Sequence, residues 1–264
     1  FKLKPEDSAL SCLPFEYIAA KMMFVRAYVL GLELDCINPS SNPLKTVSRS
    51  YDFCAMVPLQ LENSIDYLQH IKTLIVGGAK LSNGLKSKLT NSPASIYETF
   101  GMTETVSHIA VKNITKSSSL FEVLPSISVG VDVRNCLTIN APQLVSKPIQ
   151  TNDVVKLVSS TTFEWVGRYD MIINSGGIKV APEQLEQQLE GFIEDRFFIT
   201  SQKDNSFGEI VVIVIECAAP YETLNFEILE PMKRPKRVYY VDKFKETISR
   251  KIKRKETFNL IKPE

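Results

Sequence analysis

Apolar residues in this chain come in short runs, and the spacing inside the runs changes along its length. Ala9-Leu10-Ser11-Cys12-Leu13 is apolar and stops at Pro14, which predicts a buried strand. From Tyr17 to Leu30 nearly every position is apolar, interrupted by Lys21 and Arg26, which predicts a helix with little polar face. Leu32 to Ile37 predicts a second strand, and Ser40-Ser41-Asn42-Pro43 a turn. Tyr51 to Val57 is again apolar, and Leu61 to Leu68 predicts a helix. Thr73-Leu74-Ile75-Val76 is a short strand entering Gly77-Gly78-Ala79, and Leu81 to Leu89 predicts the next helix, capped by Ser82 or Asn83. Helices alternating with short buried strands predict α/β layering.

The pattern then shifts. Between Ser126 and Val158, short strands such as Leu137-Thr138-Ile139 and Val154-Val155-Lys156-Leu157 are separated by Gly, Asn and Pro, predicting a small β-rich subdomain. Met171 to Ile173 is a short apolar run, and Ser175-Gly176-Gly177 suits a two-residue hairpin. Pro182 fits the first position of a helix, where its missing N–H costs nothing, and Leu185, Leu189 and Ile193 recur at helical spacing. Phe197 to Thr200, Glu209 to Cys217 and Arg237 to Val241 predict strands of a last, small α/β domain.

Composition narrows the class. At 264 residues the chain is one large domain or two smaller ones, and 44% hydrophobic with 23% charged residues is the balance of a soluble globular protein. A net charge of +1 implies no partner by bulk electrostatics. The longest apolar run, Ile210 to Ile215, is too short to cross a bilayer, so stable membrane insertion is not expected. Cys12, Cys36, Cys54, Cys136 and Cys217 are scattered and odd in number, which argues against a disulfide framework or a zinc site and for a cytoplasmic setting. The chain opens on Phe1, with a polar start and an internal-looking strand soon after, so we expect the middle of a longer protein. From Lys233 onward Lys and Arg outnumber Asp and Glu, with Tyr239, Tyr240, Phe244 and Phe258 interleaved. Such a run suits a nucleic-acid or anionic-lipid surface, but more often it is a solvated face.

Several positions carry candidate chemistry. A basic residue on an apolar helix is usually a snorkelling side chain; Arg26 and Lys21 could instead anchor an anion, which Arg grips bidentately. Gly77-Gly78-Ala79 after a strand lets backbone approach a flat ligand, or is simply a turn. Thr103 and Glu104 offer hard oxygen ligands for Mg²⁺ and hydrogen bonds to phosphate, or Thr103 merely caps a helix. Asp153 reads alone as a turn residue. Arg168, Asp170 and Lys179 cluster around the predicted hairpin, where a solvated surface turn is the plain alternative.

Gly167 to Glu186 meets every fixed position of Gly-Arg-x-Asp-x-x-Ile-x-x-Gly-Gly-x-Lys-Val-x-Pro-x-x-(Val/Leu)-Glu. This stretch resembles the hinge motif of the adenylate-forming superfamily: acyl-CoA synthetases, luciferases and peptide-synthetase adenylation domains. Other motifs follow in the same order. Phe100-Gly101-Met102-Thr103-Glu104 resembles Tyr-Gly-x-Thr-Glu, Thr151-Asn152-Asp153 resembles Thr-Gly-Asp, and Thr247 to Arg254 resembles Thr-x-x-Gly-Lys-Ile-x-Arg with Arg250 in the Gly position. Leu13-Pro14-Phe15-Glu16-Tyr17-Ile18 is similar to the Leu-Pro-Leu-Phe-His-(Val/Ile) segment of acyl-CoA synthetases, with Tyr17 replacing His. That segment, its spacing to Arg26 and the compact last domain resemble o-succinylbenzoate–CoA ligases most.

The resemblance implies an adenylate-forming fold: a large N-terminal α/β domain with a β-rich subdomain, residues 1–169, and a small mobile α/β domain, residues 170–264, hinged at Asp170. It implies ATP and CoA as co-substrates, Mg²⁺ on Glu104, and a small-molecule carboxylate as partner, with no nucleic acid. Gly78, Ala79, Phe100, Gly101 and Thr103 would lie against ATP, Asp153 would receive its ribose hydroxyls, and Arg168 would reach ribose or phosphates. Arg26, with Lys21 secondary, would bind the acid; Lys251 would be the lysine of acyl-adenylate formation, and Lys179 would face the CoA half-reaction. The family's Ser/Thr/Gly-rich phosphate loop has no counterpart here: Ser40 to Lys45 lacks glycine and comes too late. A ligase for another aryl or fatty acid, or a non-catalytic nucleotide- or anion-binding homologue in which Tyr17, Phe100 and Arg250 stand where the pattern has His, Tyr and Gly, are the alternatives. The sequence leaves oligomeric state open.

Overall fold

The computed structural model describes residues 1–247 and 251–261. The chain divides into two compact units. One comprises Phe1–Asp132, Thr138–Thr151 and Leu157–Glu164; the other comprises Val133–Leu137, Asn152–Lys156 and Trp165–Glu264.

The first unit begins with β1 (Ser8–Ser11), α1 (Ile18–Leu30), β2 (Glu33–Cys36), β3 (Tyr51–Met56), α2 (Pro58–Asn63), β4 (Ile71–Val76), α3 (Asn83–Leu89) and β5 (Ser95–Gly101). β1 lies between β2 and β3, β4 follows β3, and β5 follows β4, all parallel. β6 (His108–Asn113) and β7 (Phe121–Val123) then add antiparallel. The strands expected as a β-rich subdomain are β8 (Ser128–Val131), β9 (Cys136–Asn140) and β10 (Ile149–Ser159), and β11 (Thr162–Arg168) comes after them. They continue the same sheet, in the order β2-β1-β3-β4-β5-β6-β7-β11-β10-β9-β8.

Parallel strands are covered on both faces by their crossovers, so they carry apolar residues on both sides of the pleat. β3 and β4 show this directly. Phe53, Ala55 and Ile75 pack with Ala20, Met23 and Ala27 of α1. Their neighbours Cys54, Met56, Leu74 and Val76 pack in a separate cluster with Leu61, Leu85 and Leu89. Small alanines let α1 lie close to the sheet. Its other positions, Ile18, Phe24, Val25, Tyr28 and Val29, are exposed.

The helix expected over Leu61 to Leu68 is instead two pieces, α2 and a 3₁₀ segment at Ile65–His70. Pro58 starts the first piece earlier, as proline favours. Gln60 then ties it down by donating to the carbonyls of Cys12 (3.0 Å) and Ser40 (2.9 Å), and Ser64 Oγ turns to Asn42 Oδ1 at 3.2 Å. Ser82, not Asn83, caps α3: its Oγ accepts from the Leu85 N–H at 3.1 Å.

The second unit adds β12 (Ile173–Ser175), β13 (Ile178–Val180), α4 (Pro182–Leu189), β14 (Phe197–Asp204), β15 (Gly208–Glu216), β16 (Arg237–Val241) and α5 (Arg254–Phe258). Gly176 and Gly177 turn the β12–β13 hairpin at φ of +58° and +84°, the positive pair that a two-residue hairpin requires. Met171, expected in the strand, sits in a 3₁₀ turn at Tyr169–Met171, and β12 begins at Ile173. The longest apolar run is the central strand: β15 pairs antiparallel with β14 and β12 and parallel with β16. One of its faces joins Leu185, Leu189 and Ile193 in a core; Phe198, Val214 and Phe244 form another cluster.

Leu74 is 0% exposed at the centre of the β3–β4 layer. Leu74→Ala is expected to lower unfolding free energy by about 2–5 kcal/mol in urea titration; a loss below about 1 kcal/mol would show that this layer repacks freely.

Candidate active site

The first unit gathers several motif residues at the carboxyl ends of its parallel strands, where open α/β sheets bind ligands. β4 ends at Val76, and Gly77-Gly78-Ala79 follows, with Gly78 and Ala79 exposed. β5 runs beside β4 and extends beyond it; the Thr99 hydroxyl donates to the Val76 carbonyl at 3.1 Å. Phe100 packs edge-on to Phe163 (centroids 5.3 Å apart) and lies 5.7 Å from Phe121. Gly101 pairs with His108, and no larger residue fits: a Cβ there would lie 2.5 Å from the His108 Cα.

Thr103 and Glu104 stand exposed in a single 3₁₀ turn, Thr103–Thr105. The turn is held by Thr105, whose Oγ1 accepts from the Met102 N–H at 3.1 Å. Thr103 is therefore no cap. Its side chain and that of Glu104 have no hydrogen-bond or ion-pair partner among the described residues. No group of three or more metal-binding side chains occurs among those residues. A lone free carboxylate fits a Mg²⁺ that arrives on phosphate oxygens and keeps much of its water.

After this turn the backbone reverses sharply. Val106 has φ +63° and ψ −49°, and the Ser107 N–H donates to the Thr105 carbonyl at 2.7 Å, a γ-turn of the strained positive-φ kind. The reversal delivers Ser107 and His108 to Arg26 of α1. Arg26 Nη2 lies 3.1 Å from Ser107 Oγ and 3.4 Å from His108 Nδ1, while Nη1 lies 4.0 Å from Met23 Sδ. These partners are neutral, and no carboxylate pairs with Arg26 among the described residues. Lys21, on the same helix, is exposed. Buried Glu98 of β5 sits 2.7 Å from Lys112 Nζ and 3.5 Å from Lys86 Nζ, and accepts from the Leu81 N–H at 3.2 Å. Burial pushes its carboxyl up, but Lys112 and then Lys86 outweigh this and hold it below the ordinary value.

The second unit holds the other motif residues. Asp153 is buried and accepts from the indole N–H of Trp165 at 3.0 Å. Arg168 Nη1 lies 4.0 Å from Asp153, and its Nε and Nη2 grip Asp170 at 3.0 and 3.1 Å. That hydrogen-bonded grip lowers the Asp170 carboxyl pKa and raises that of Arg168. Lys179 projects from β13, exposed. Lys251 is exposed at a closed backbone junction: its N–H meets Thr247 Oγ1 at 3.0 Å, and its carbonyl accepts the Thr247 N–H at 2.9 Å. Arg250 lies outside the described residues.

The segment after Lys251 is anchored to α4. Arg254 grips Glu186 at 2.8 and 2.9 Å, and donates to the Ile199 carbonyl at 3.2 Å, while Glu186 accepts the Ile199 N–H at 2.7 Å. The last fixed positions of the two C-terminal motifs thus touch. Sequence reasoning did not identify this pair, nor Trp165, Glu98, Ser107 or His108. Helix and strand periodicity carry no signal for contacts made across elements.

No protein-family model matches the chain. The acyl-CoA synthetase (AMP-forming)/AMP-acid ligase II-like protein of Dyadobacter fermentans is 36% identical, with a TM-score of 0.62; the match covers 98% of this chain and 79% of that one. The chain belongs to this adenylate-forming acyl-CoA synthetase family. Within the family its likeness is to the o-succinylbenzoate–CoA ligases. The 2-succinylbenzoate–CoA ligase of Lactococcus lactis is 25% identical over 277 residues, 95% of this chain. The chain spans 61% of that ligase's length. The fold matches the o-succinylbenzoate–CoA synthetase of Bacillus subtilis, solved with ATP and magnesium, at a TM-score of 0.85 and 16% identity, covering 97% of this chain and 62% of that one.

Burial first, and the Arg26 charge second, lower the His108 pKa from 6.5 to about 4. The unfolded chain therefore takes up a proton that the folded chain refuses. Its contribution to stability is complete above pH 6.5 and is lost as pH falls toward 4. Urea titrations are expected to show this loss, roughly 3 kcal/mol, in the parent and not in His108→Asn. Equal pH slopes in both proteins would remove the assignment.

Proposed function

We propose that the chain carries out ATP-dependent ligation of a carboxylic acid to CoA through an acyl-adenylate, with o-succinylbenzoate as the acid. The observation that carries this reading is Arg26. A half-buried guanidinium that meets only neutral partners keeps its charge available for an anion. It contacts Ser107 and His108, which come just after the Thr103–Thr105 turn and Val106, so the acid would be held near the segment assigned to phosphate. A dicarboxylate suits that arrangement: one carboxylate is held by Arg26 while the other reacts.

In the first half-reaction a carboxylate oxygen of the acid attacks the α-phosphorus of ATP, and pyrophosphate leaves. Transfers of this kind depend on positioning and charge neutralisation. Thr103 would bind an α-phosphate oxygen, Glu104 would hold Mg²⁺, and Lys251 would place its ammonium against developing negative charge. Gly78, Ala79, Phe100 and Gly101 would receive the adenine, Asp153 the ribose hydroxyls, and Arg168 the ribose or phosphates. In the second half-reaction the CoA sulfur attacks the acyl carbonyl, AMP leaves, and the thiol proton passes to solvent. Lys179 would serve this step, with Asp170 as the hinge between them and as the boundary between residues 1–169 and 170–264. Lys21 would add charge near the acid.

Mass spectrometry of the full-length protein with ATP, Mg²⁺, CoA and o-succinylbenzoate is expected to show both the adenylate and the thioester. Lys251→Ala should slow adenylation by about 100-fold or more while still converting supplied acyl-adenylate to thioester. Undiminished adenylation in that variant would reject the lysine's role, and adenylation of other acids alone would reject o-succinylbenzoate.

Trp165 is the single tryptophan, and its N–H is spent on Asp153. Ribose hydroxyls binding Asp153 would displace or polarise that bond, so saturating AMP is expected to shift tryptophan emission. Asp153→Asn should abolish the shift. An unchanged spectrum, with AMP binding confirmed by equilibrium dialysis, would place the ribose elsewhere.

A further inference from the structure

We propose that His108, together with Ser107, is a positioning pair that aims the Arg26 guanidinium and so selects acids with a second carboxylate. The inference rests on the reading of Arg26 as the acid anchor and goes one step beyond it. An arginine side chain has many rotamers, and a planar two-pronged donor binds a carboxylate well only when its plane is fixed. On its own helix Arg26 finds only the weak acceptor Met23 Sδ. Both stronger contacts come from the entry to β6, at 3.1 Å to Ser107 Oγ just before the strand and 3.4 Å to Nδ1 of His108, its first residue.

The chemistry of these partners is the telling point. An Asp or Glu in this place would orient Arg26 equally well, but it would neutralise the guanidinium and repel an incoming carboxylate. A hydroxyl and a neutral imidazole orient it and leave the charge intact. To accept from Arg26, His108 must keep the lone pair on Nδ1, which puts its proton on Nε2. Burial and the Arg26 charge both favour that neutral form.

The pair is also rigidly placed. Gly101 has no Cβ, so the His108 Cα and the Ser107 carbonyl pack against it at distances that a side chain would forbid. The strained turn at Val106 fixes the direction from which the pair arrives. Non-glycine residues held at positive φ persist only where surrounding structure over-determines them. Here the constraint ties the orienting pair to Phe100-Gly101-Met102-Thr103-Glu104, so acid anchor and phosphate-facing turn share one scaffold.

Calorimetric binding to the full-length protein tests this, using o-succinylbenzoate and 4-oxo-4-phenylbutanoate, which lacks the ring carboxylate. His108→Leu is expected to weaken the diacid about tenfold, with ATP and the monoacid unaffected. His108→Asn, which can restore an acceptor near the Nδ1 position, should recover most of the loss. Ser107→Ala, which leaves the ring in place, should weaken the diacid in the same selective way. Equal effects on both acids, or no effect of either variant, would overturn the pair's role. Arg26→Leu separates the two levels of the argument. If it weakens the diacid and the His108 and Ser107 variants do not, only the positioning role fails; if it changes nothing, the anchor reading fails with it.

Discussion

Burial of both faces of the parallel strands is the constraint from which the first unit's arrangement follows. β3 and β4 send alternate side chains into two separate cores, so neither face has room for polar chemistry. Backbone groups and polar side chains are free to meet a ligand only where the strands end. Gly77-Gly78-Ala79 and the segment from Phe100 to Glu104 lie at those ends. The buried Lys86–Glu98–Lys112 cluster is the exception inside the layer, and its charges are paired, as burial demands.

Three arginines show how surroundings decide what a guanidinium can do. Arg254 is taken up by Glu186 and the Ile199 carbonyl and acts as a fastener within the second unit. Arg168 is held by Asp170 and stands at longer range from Asp153, so it is oriented and partly neutralised at once. Arg26 alone of the three meets no carboxylate among the described residues. The same residue type thus supplies a structural tie, a shared contact and an open charge.

Much of this was legible from residue order. The hairpin was announced by Gly176-Gly177, the helix start by Pro182, and the strand ends by Val76 before two glycines. The motif from Gly167 to Glu186 carried the family, because its fixed positions combine turn chemistry, a helix start and charges in one stretch. Illegible features share one property: they join residues far apart in sequence. Arg26 with His108, Arg254 with Glu186, and Lys112 with Glu98 depend on strand register and helix packing that no local period encodes. The break at Ser64 was hidden for the same reason, since Gln60 is held by carbonyls of Cys12 and Ser40.

The Glu186–Arg254 clasp has a mechanical consequence. Arg254 follows Lys251 by three residues, and between them Ile252 packs with Phe244 and Phe258 while bridging to Glu246. The lysine's backbone is thereby coupled to α4 much as the tip of a lever is coupled to its fulcrum. A shift of that helix would pull on the Lys251 backbone through this clasp. The position of that backbone becomes a property of the whole second core, so an inner change that loosens α4 on β14 would be felt as far away as Lys251.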